Sequence, residues 1–367
     1  MRSTTSNLPH IQQSITSHKR ALGSILSAGL SRRHRANPLA CLRAEKLFGL
    51  PVLFSGMAAL VLSKSEVDIL SHHVKVTVES LLKLHPKTPE PFVYLISGSL
   101  PARATLHKRQ LSLFSMICRL PNNILNSIAR HFLLSPGSGS TWFAQVESIC
   151  WQYALPHPLY LLDNPPKKDE FKHLVKLQVE DYWLRHYRSQ LKDNQLPSLR
   201  FFKSGFCNLS KPHPILTTAK GSYEVNKMIV QLRLLSGRAR LGTLLRHFSL
   251  QHDGVCELCH LEVEDLAHFL LPKCPLLQER ALLLIDYMQG MLLGSFRCSE
   301  IFQRVLQDRW LDPYSWLQFV LDCSVLPQVV RAAQEDHAVL DLLFKATRTY
   351  CYSLHRTRLK LLGRWTC

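Results

Sequence analysis

The sequence predicts a mainly α, multi-helical protein. Apolar residues recur at helical spacing over several long stretches, whereas the alternation typical of strands is weak throughout. A local cluster of cysteines and a histidine separates two of the helical blocks. The chain has 367 residues, of which 46% are hydrophobic and 20% charged, so it is long enough to bury real cores.

Helical periodicity is clearest between residues 66 and 84, where Val67, Leu70, Val74 and Val78 share one face and Ser65 is the expected N-cap. Proline and glycine then mark where several helices end. The predicted helices are 66–84, 103–120, 124–134, 142–153, 168–191, 223–235, 275–292, 298–307, 314–323 and 327–362. The charge-free stretch 47–63 is interrupted by proline and glycine, which favours a buried hairpin or broken helix over a membrane span.

Composition and helix breakers divide the chain into five segments. These are a disordered or frayed basic N-terminus (1–36), a helical block (37–156), a helical block with a basic segment (157–248), the cysteine–histidine segment (249–280) and a C-terminal helical block (281–367). Residues 1–40 are rich in serine and arginine and contain no acidic residue, which also resembles a mitochondrial transit peptide. Between these two, we expect a frayed terminus.

The charge balance is strongly basic, with 45 Lys and Arg against 27 Asp and Glu and a formal net charge of +18. Such a chain attracts polyanions, with nucleic acid the first expectation and an anionic membrane surface the second. A basic solubility surface is the simpler alternative.

The eleven cysteines are scattered rather than arranged as a disulfide framework. We therefore expect free thiols in a nuclear or cytoplasmic protein that is not secreted, with mitochondrial targeting as the alternative.

The cysteine–histidine cluster reads Cys256-x-x-Cys259, eight residues, His268, five residues, Cys274. Thiolates and imidazole suit zinc, and four such ligands close a tetrahedral structural site with no open position for a catalytic water. We expect one structural zinc ion, a short helix over 262–270, and a zinc knuckle inserted between the helical blocks. Two alternatives remain: a buried cysteine pair with a packed histidine, and His260 in place of His268.

Basic residues near this cluster and at the C-terminus are candidate nucleic-acid contacts. The candidates are Arg233, Arg238, Arg240, Arg246, His247, Arg356, Arg358 and Lys360. For the residues near the cluster, the alternative is a solvated helix end. For those near the C-terminus, it is a helix with one packed face and one solvent-exposed face.

The sequence lacks common enzyme motifs. Phosphate-binding glycine loops, the Gly-x-Ser-x-Gly elbow and paired aspartates for two metal ions are absent, which predicts a protein that is not an enzyme and takes no small-molecule substrate.

The cluster 256–274, together with 225–247, resembles the zinc-binding region that follows reverse transcriptase in LINE-type (non-LTR) retrotransposons. Further resemblance lies in "SRRHRANPLACLRAEKLFGLPVLFSG", "LLKLHPKTPEPFVYLISGSLPARATLHKRQLSLFSMICRLP" and "DCSVLPQVV" with "TRTYCYSLHRTRLKLLGRW", so it covers nearly the whole chain from about residue 30. These stretches look like the post-polymerase region of vertebrate, especially fish, elements. The polymerase aspartate pair is absent, which indicates either a truncated copy of an element or a sequence that covers only the tail.

The resemblance implies that Cys256, Cys259, His268 and Cys274 are zinc ligands and that the chain helps bind element RNA or target DNA. It does not carry over catalysis, and no restriction-like nuclease motif follows Cys274. We therefore expect a non-catalytic nucleic-acid-binding tail without a membrane association. The alternatives are a helical protein-interaction module whose zinc is purely structural, and a degenerate element remnant without cellular role. The sequence predicts no oligomeric state.

Overall fold

The structure is a computed structural model that describes residues 6–27, 37–120, 124–135, 141–192, 196–248, 253–308 and 312–364. Within these ranges the protein is mainly α-helical, as predicted, and its β-type pairing is limited to one antiparallel bridge between Val255 and Val263. None of the helices in the described ranges combines the length and apolar composition needed to cross a bilayer.

The α-helices follow one another through the described ranges. Short 3-10 turns join some of them, and a π-helical turn joins the second to the third. In chain order they are α1 (Leu8–Ile25), α2 (Pro38–Ala44), α3 (Leu50–Leu53), α4 (Lys64–Leu81), α5 (Glu90–Ser97), α6 (Ala102–Cys118), α7 (Ile124–Leu134), α8 (Trp142–Gln152), α9 (Pro158–Asp163), α10 (Lys168–Lys192), α11 (Pro214–Thr217), α12 (Ser222–Leu235), α13 (Gly242–Phe248), α14 (Leu266–Leu270), α15 (Pro275–Leu292), α16 (Phe296–Asp308), α17 (Pro313–Leu321), α18 (Pro327–Glu335) and α19 (Ala338–Leu361).

Helix α4 begins with a capping box, two residues before the predicted cap. The Ser63 hydroxyl accepts from the Glu66 backbone N–H, and the Glu66 carboxylate accepts from the Ser63 backbone N–H at 2.8 Å. The prediction of Ser65 as the N-cap is therefore wrong: the glutamate that completes the box stands three residues after Ser63. The apolar face of α4 packs against α5 and α6 as its periodicity predicts.

Helix α1 lies in the segment expected to be frayed, and that expectation is wrong for Leu8–Ile25. Ile11 and His18 on this helix are fully buried, and α1 packs against α3 and α4. Its N-terminus is held by the Glu66 carboxylate, which accepts from the Asn7 backbone N–H at 2.8 Å. Residues 1–5 and 28–36 lie outside the described residues.

The second predicted block does not form a unit of its own. Helix α10 packs against α5 and α6, whereas α12 packs against α17 and α19. The segment between them also contacts the first block, since the His213 backbone N–H donates to the Ile96 carbonyl at 3.0 Å. One contiguous apolar core connects the described parts of all the helical blocks.

Helix α19 is the centre of the C-terminal half and packs against α12, α15, α16, α17 and α18. The sequence predicted one helix over 327–362, but the chain breaks between α18 and α19. Asp336 is extended there, with φ −144° and ψ 108°, and its carboxylate accepts from the Ala338 backbone N–H at 2.8 Å. An aspartate whose side chain accepts from the backbone two residues on competes with continued helix at its own position.

Burial of Ile11 predicts that α1 is part of the cooperative core. We expect Ile11→Ala to lower the free energy of unfolding by about 2–5 kcal/mol, because it removes buried methyl groups and leaves a cavity. Gln12→Ala, at an exposed position of the same helix, should change it by less than about 0.5 kcal/mol. Urea unfolding followed by circular dichroism measures both, and equal stability of the two variants would contradict the placement of α1.

Candidate metal centre

A tight turn brings Cys256 and Cys259 together. The Cys256 backbone N–H donates to the Glu262 carbonyl at 2.8 Å, and the His260 backbone N–H donates to the Cys256 carbonyl at 2.9 Å. His260 has a φ of 55°, in the left-handed region, which lets the chain reverse immediately after Cys259. The bridge between Val255 and Val263 closes the base of this turn.

His268 and Cys274 come from the two helices that follow the turn. Asp265 caps α14, and its carboxylate accepts from the His268 backbone N–H at 2.7 Å. Cys274 is the N-cap of α15, directly before Pro275. The predicted helix over 262–270 is too long, since the backbones of residues 262 and 264 pair with those of residues 256 and 254, and α14 begins only at Leu266.

The four predicted ligands converge on one point. The Sγ atoms of Cys256, Cys259 and Cys274 and a ring nitrogen of His268 all lie within 4.8 Å of one another, and Cys259 Sγ is 3.4 Å from His268 Nε2. Zinc–ligand bonds of about 2.3 Å to sulfur and 2.0–2.1 Å to nitrogen put tetrahedral ligand atoms about 3.5–3.8 Å apart. The quartet can therefore hold one metal ion. His260 is exposed and outside this group, so His268 is the fourth member.

Glu262 orients the His268 ring. Its Oε2 lies 3.3 Å from His268 Nδ1, on the side of the ring opposite the nitrogen that faces Cys259. A carboxylate that accepts from one imidazole nitrogen leaves the other as the metal ligand and raises its basicity.

The thiols differ in acidity. Burial raises the pKa of Cys256 to about 12, with the nearby Glu264 carboxylate adding to the effect, and burial also raises the pKa of Cys274. Burial acts in the same direction on Cys259, but hydrogen bonds from the backbone at Leu261 and Glu262 outweigh it, and the net pKa lies below the ordinary value. Binding of a divalent metal must therefore displace protons from at least the two buried thiols.

A buried ion pair fixes this turn to the C-terminal helix. The Glu264 carboxylate accepts two hydrogen bonds from Arg358, at 2.6 Å from Nε and 2.7 Å from a terminal nitrogen, and both side chains are 1% exposed. The same carboxylate accepts from the Gly242 backbone N–H at 2.8 Å, at the start of α13, and lies 3.8 Å from Cys256 Sγ. Glu264 thus joins α13 and α19 to the turn that carries Cys256 and Cys259, here called the ligand turn.

Arginine would also balance the negative charge of a metal-loaded centre. Three thiolates and one divalent ion would leave a net charge of −1, to which Glu264 and Glu257 would add. Arg358 contacts both acids, and Arg364 pairs with Glu257 at 2.8 and 2.9 Å. Because Arg358 is buried among these carboxylates, it is not placed to contact a phosphate. The sequence-based prediction that Arg358 contacts nucleic acid is therefore wrong.

The other predicted basic residues remain at the surface to different degrees. Most of them have exposed side chains, namely Arg233, Arg240, Arg246, His247, Arg356 and Lys360. Arg233 is engaged, since its guanidinium donates to the Lys83 carbonyl at 3.2 and 3.3 Å, and Arg238 is half-buried. Helix α12 packs against α19, and burial, with Arg358 and Arg233 nearby, lowers the pKa of His355 on α19 to about 4.

Comparisons with family models, curated proteins and solved structures found no match to this chain.

The buried ion pair predicts an asymmetry between two arginines. Arg358→Met should lower the free energy of unfolding by about 3–5 kcal/mol, because it leaves the Glu264 carboxylate buried without its counter-charge. Arg364→Met, in a half-exposed pair with Glu257, should cost about 0–1 kcal/mol. Urea titrations of the metal-loaded protein measure both, and a loss at Arg358 no larger than that at Arg364 would be inconsistent with the buried pair.

The geometry also discriminates between the two candidate histidines. We expect His268→Asn to lose the bound metal, because asparagine supplies no imidazole nitrogen at the centre. His260→Asn should retain it, and asparagine tolerates the left-handed backbone of that position. Metal content per chain, measured by plasma mass spectrometry after dialysis, tests the pair. Retention by His268→Asn together with loss by His260→Asn would reverse the assignment.

Proposed function

We propose that the chain binds one zinc ion through Cys256, Cys259, His268 and Cys274 and acts as a non-catalytic nucleic-acid-binding tail. The observation that carries the proposal is the convergence of these four ligand atoms within 4.8 Å. A donor set of three thiolates and one imidazole matches the Cys₃His class of structural zinc sites. Softer ligands of this kind disfavour magnesium, calcium and manganese, which prefer oxygen.

Nucleic acid as the partner is supported by charge and by its distribution. The net charge of +18 provides a sequence-independent attraction for phosphates. Arg246 and His247 lie on α13, which the Glu264 carboxylate and backbone join to the ligand turn, and both side chains are exposed. The resemblance to the post-polymerase region of LINE-type retrotransposons points to element RNA or target DNA, in the nucleus or cytoplasm.

The absence of a catalytic role is part of the proposal. Four protein ligands leave no open coordination position for a reactive water. Ser324, His213 and Asp322 converge in the core, with the Ser324 hydroxyl 2.6 Å from the Asp322 carboxylate and 3.5 Å from the His213 ring. All three are buried, and His213 Nδ1 accepts from the Ile215 backbone N–H, so this group connects segments of the core and is closed to a substrate.

A protein-interaction module with a purely structural zinc is the second candidate. It is favoured by apolar side chains on the outer side of α15 and the start of α16, where Leu283, Tyr287 and Phe296 are 53%, 55% and 83% exposed. This candidate predicts little affinity for nucleic acid. A degenerate element remnant remains the third candidate, and detection of the native protein in tissue bears on it.

A salt titration tests the proposal. We expect the zinc-loaded protein to bind a labelled single-stranded RNA, with log K falling linearly with log salt at a slope of about −0.7 per phosphate contacted. Fluorescence anisotropy at salt concentrations of roughly 50 and 200 mM, a range over which several phosphate contacts change affinity by orders of magnitude, gives this slope. Negligible binding at the lower concentration would exclude nucleic-acid binding and leave the protein-interaction candidate.

A further inference from the structure

A groove lies beside the metal centre, on the side of α13. Its volume is about 630 Å³, within the range of about 300–1,000 Å³ typical of ligand clefts. One wall comes from the turn after α10, one from the segment 237–247, and one from the ligand turn and the start of α14. The first two walls meet where Gly237, with φ 63°, approaches Ser198 so closely that a Cβ would lie 2.5 Å from the Ser198 carbonyl oxygen.

The groove combines apolar walls with cations. Leu196, Pro197, Leu241 and Val263 supply apolar surface, and Arg200, Arg238 and His247 supply basic groups. Its acid, Asp265, is 3.5 Å from the Arg200 guanidinium and caps α14, so its charge is already compensated.

Arg238 carries a hydrogen-bond donor without a partner. Its Nε is buried and forms no hydrogen bond with the described residues. A buried, unsatisfied donor of this kind costs free energy in the isolated protein. The same side chain lines the groove, where its guanidinium can form a charge-assisted hydrogen bond with an anionic oxygen.

An aromatic surface continues from the Arg200 side. The Tyr314 hydroxyl donates to the Arg200 carbonyl at 2.9 Å, and Tyr314 is 42% exposed. Lys203 lies over this ring, 5.4 Å from its centroid, and Arg200 lies over the neighbouring Phe201 at 4.8 Å. Basic groups interleaved with an accessible ring suit a base that stacks while its phosphate meets a cation.

These features favour one occupant. Apolar walls and an exposed ring contact bases only where the bases are unpaired, because a duplex presents its phosphates outward and stacks its bases inward. An acidic peptide would satisfy Arg238 but would use neither the ring nor the apolar walls in the same way. The groove therefore fits a single nucleic-acid strand better than a duplex or an acidic protein.

We propose that this groove is the single-strand binding site of the protein. In it Arg238 donates hydrogen bonds to a phosphate of the strand, and Tyr314 is the surface on which a base stacks. The inference rests on the proposed nucleic-acid binding and adds to it the strand type and the residues. Of the residues that line the groove or its aromatic extension, only Arg238 and His247 were candidates in the sequence. The residues come from four separate segments of the chain, so no local pattern groups them.

Fluorescence anisotropy of a labelled single-stranded oligonucleotide, with metal-loaded full-length chain, tests the site. We expect Arg238→Ala and Tyr314→Leu each to weaken binding by about tenfold, as loss of one phosphate or stacking contact does. Arg130→Ala and Tyr160→Leu remove the same residue types from exposed or half-exposed positions on α7 and α9. These controls should change affinity by less than about threefold, since surface substitutions away from a site contribute little.

The outcomes are distinct. Wild-type binding that neither groove variant weakens beyond its control overturns the groove and leaves nucleic-acid binding intact, whereas absent wild-type binding overturns the proposed function itself. Equal or stronger binding of the matched duplex overturns the single-strand assignment, as does competition by polyglutamate at equal charge. If a groove variant fails to fold by thermal melting, photo-crosslinking of the wild-type protein to a thiouridine-containing strand decides. Crosslinks in 196–203, 237–247 or 314 support the site, and crosslinks confined elsewhere overturn it.

Discussion

The buried pair between Glu264 and Arg358 is the contact on which the arrangement around the metal centre depends. Two opposite charges at 1% exposure are tolerated only with close, hydrogen-bonded geometry, and this pair has two bonds of 2.6 and 2.7 Å. Glu264 also receives the Gly242 backbone N–H, while its own backbone N–H donates to the Gly254 carbonyl. A Cβ at Gly242 would lie 2.4 Å from the Gly254 carbonyl oxygen, so α13 and the ligand turn meet backbone to backbone.

This junction ties the ligand cluster to a basic helix. The ligand turn, α13 and α19 share one carboxylate, so the turn and the helix that carries Arg246 and His247 are held by the same side chain. The Arg246 side chain packs over Gly254, which further couples the basic helix to the turn. In our account the metal stabilises the ligand turn, and this turn forms part of one wall of the proposed groove.

Local patterns in the sequence predicted much of the fold. Helices α7 and α15 have the predicted bounds, and α6, α8, α10 and α12 agree within two residues, because each combines strong apolar periodicity with a proline, glycine or polar boundary. Helices α5, α9 and α13 were missed, since segments of six to eight residues carry too few turns for periodicity to be detected. Helix α1 was missed because its basic, serine-rich composition resembles a frayed terminus, while its burial arises from α3 and α4.

The metal quartet was predictable for a related reason. Its four ligands lie within 19 consecutive positions, and the chemistry of thiolates and imidazole limits which ions they suit. The pairing of Glu264 with Arg358 was not predictable, since 94 positions separate them and an arginine near the C-terminus equally suits a solvated helix face. The same holds for Arg200 and Tyr314, which are 114 positions apart.

In our account, three thiolates and one imidazole of this chain hold a single zinc ion. Zinc K-edge X-ray absorption of the purified protein tests it most directly. Our account predicts a scattering shell of three sulfur atoms at about 2.3 Å and one nitrogen at about 2.0–2.1 Å. A shell of oxygen and nitrogen alone, or the absence of zinc from a folded chain, would contradict it.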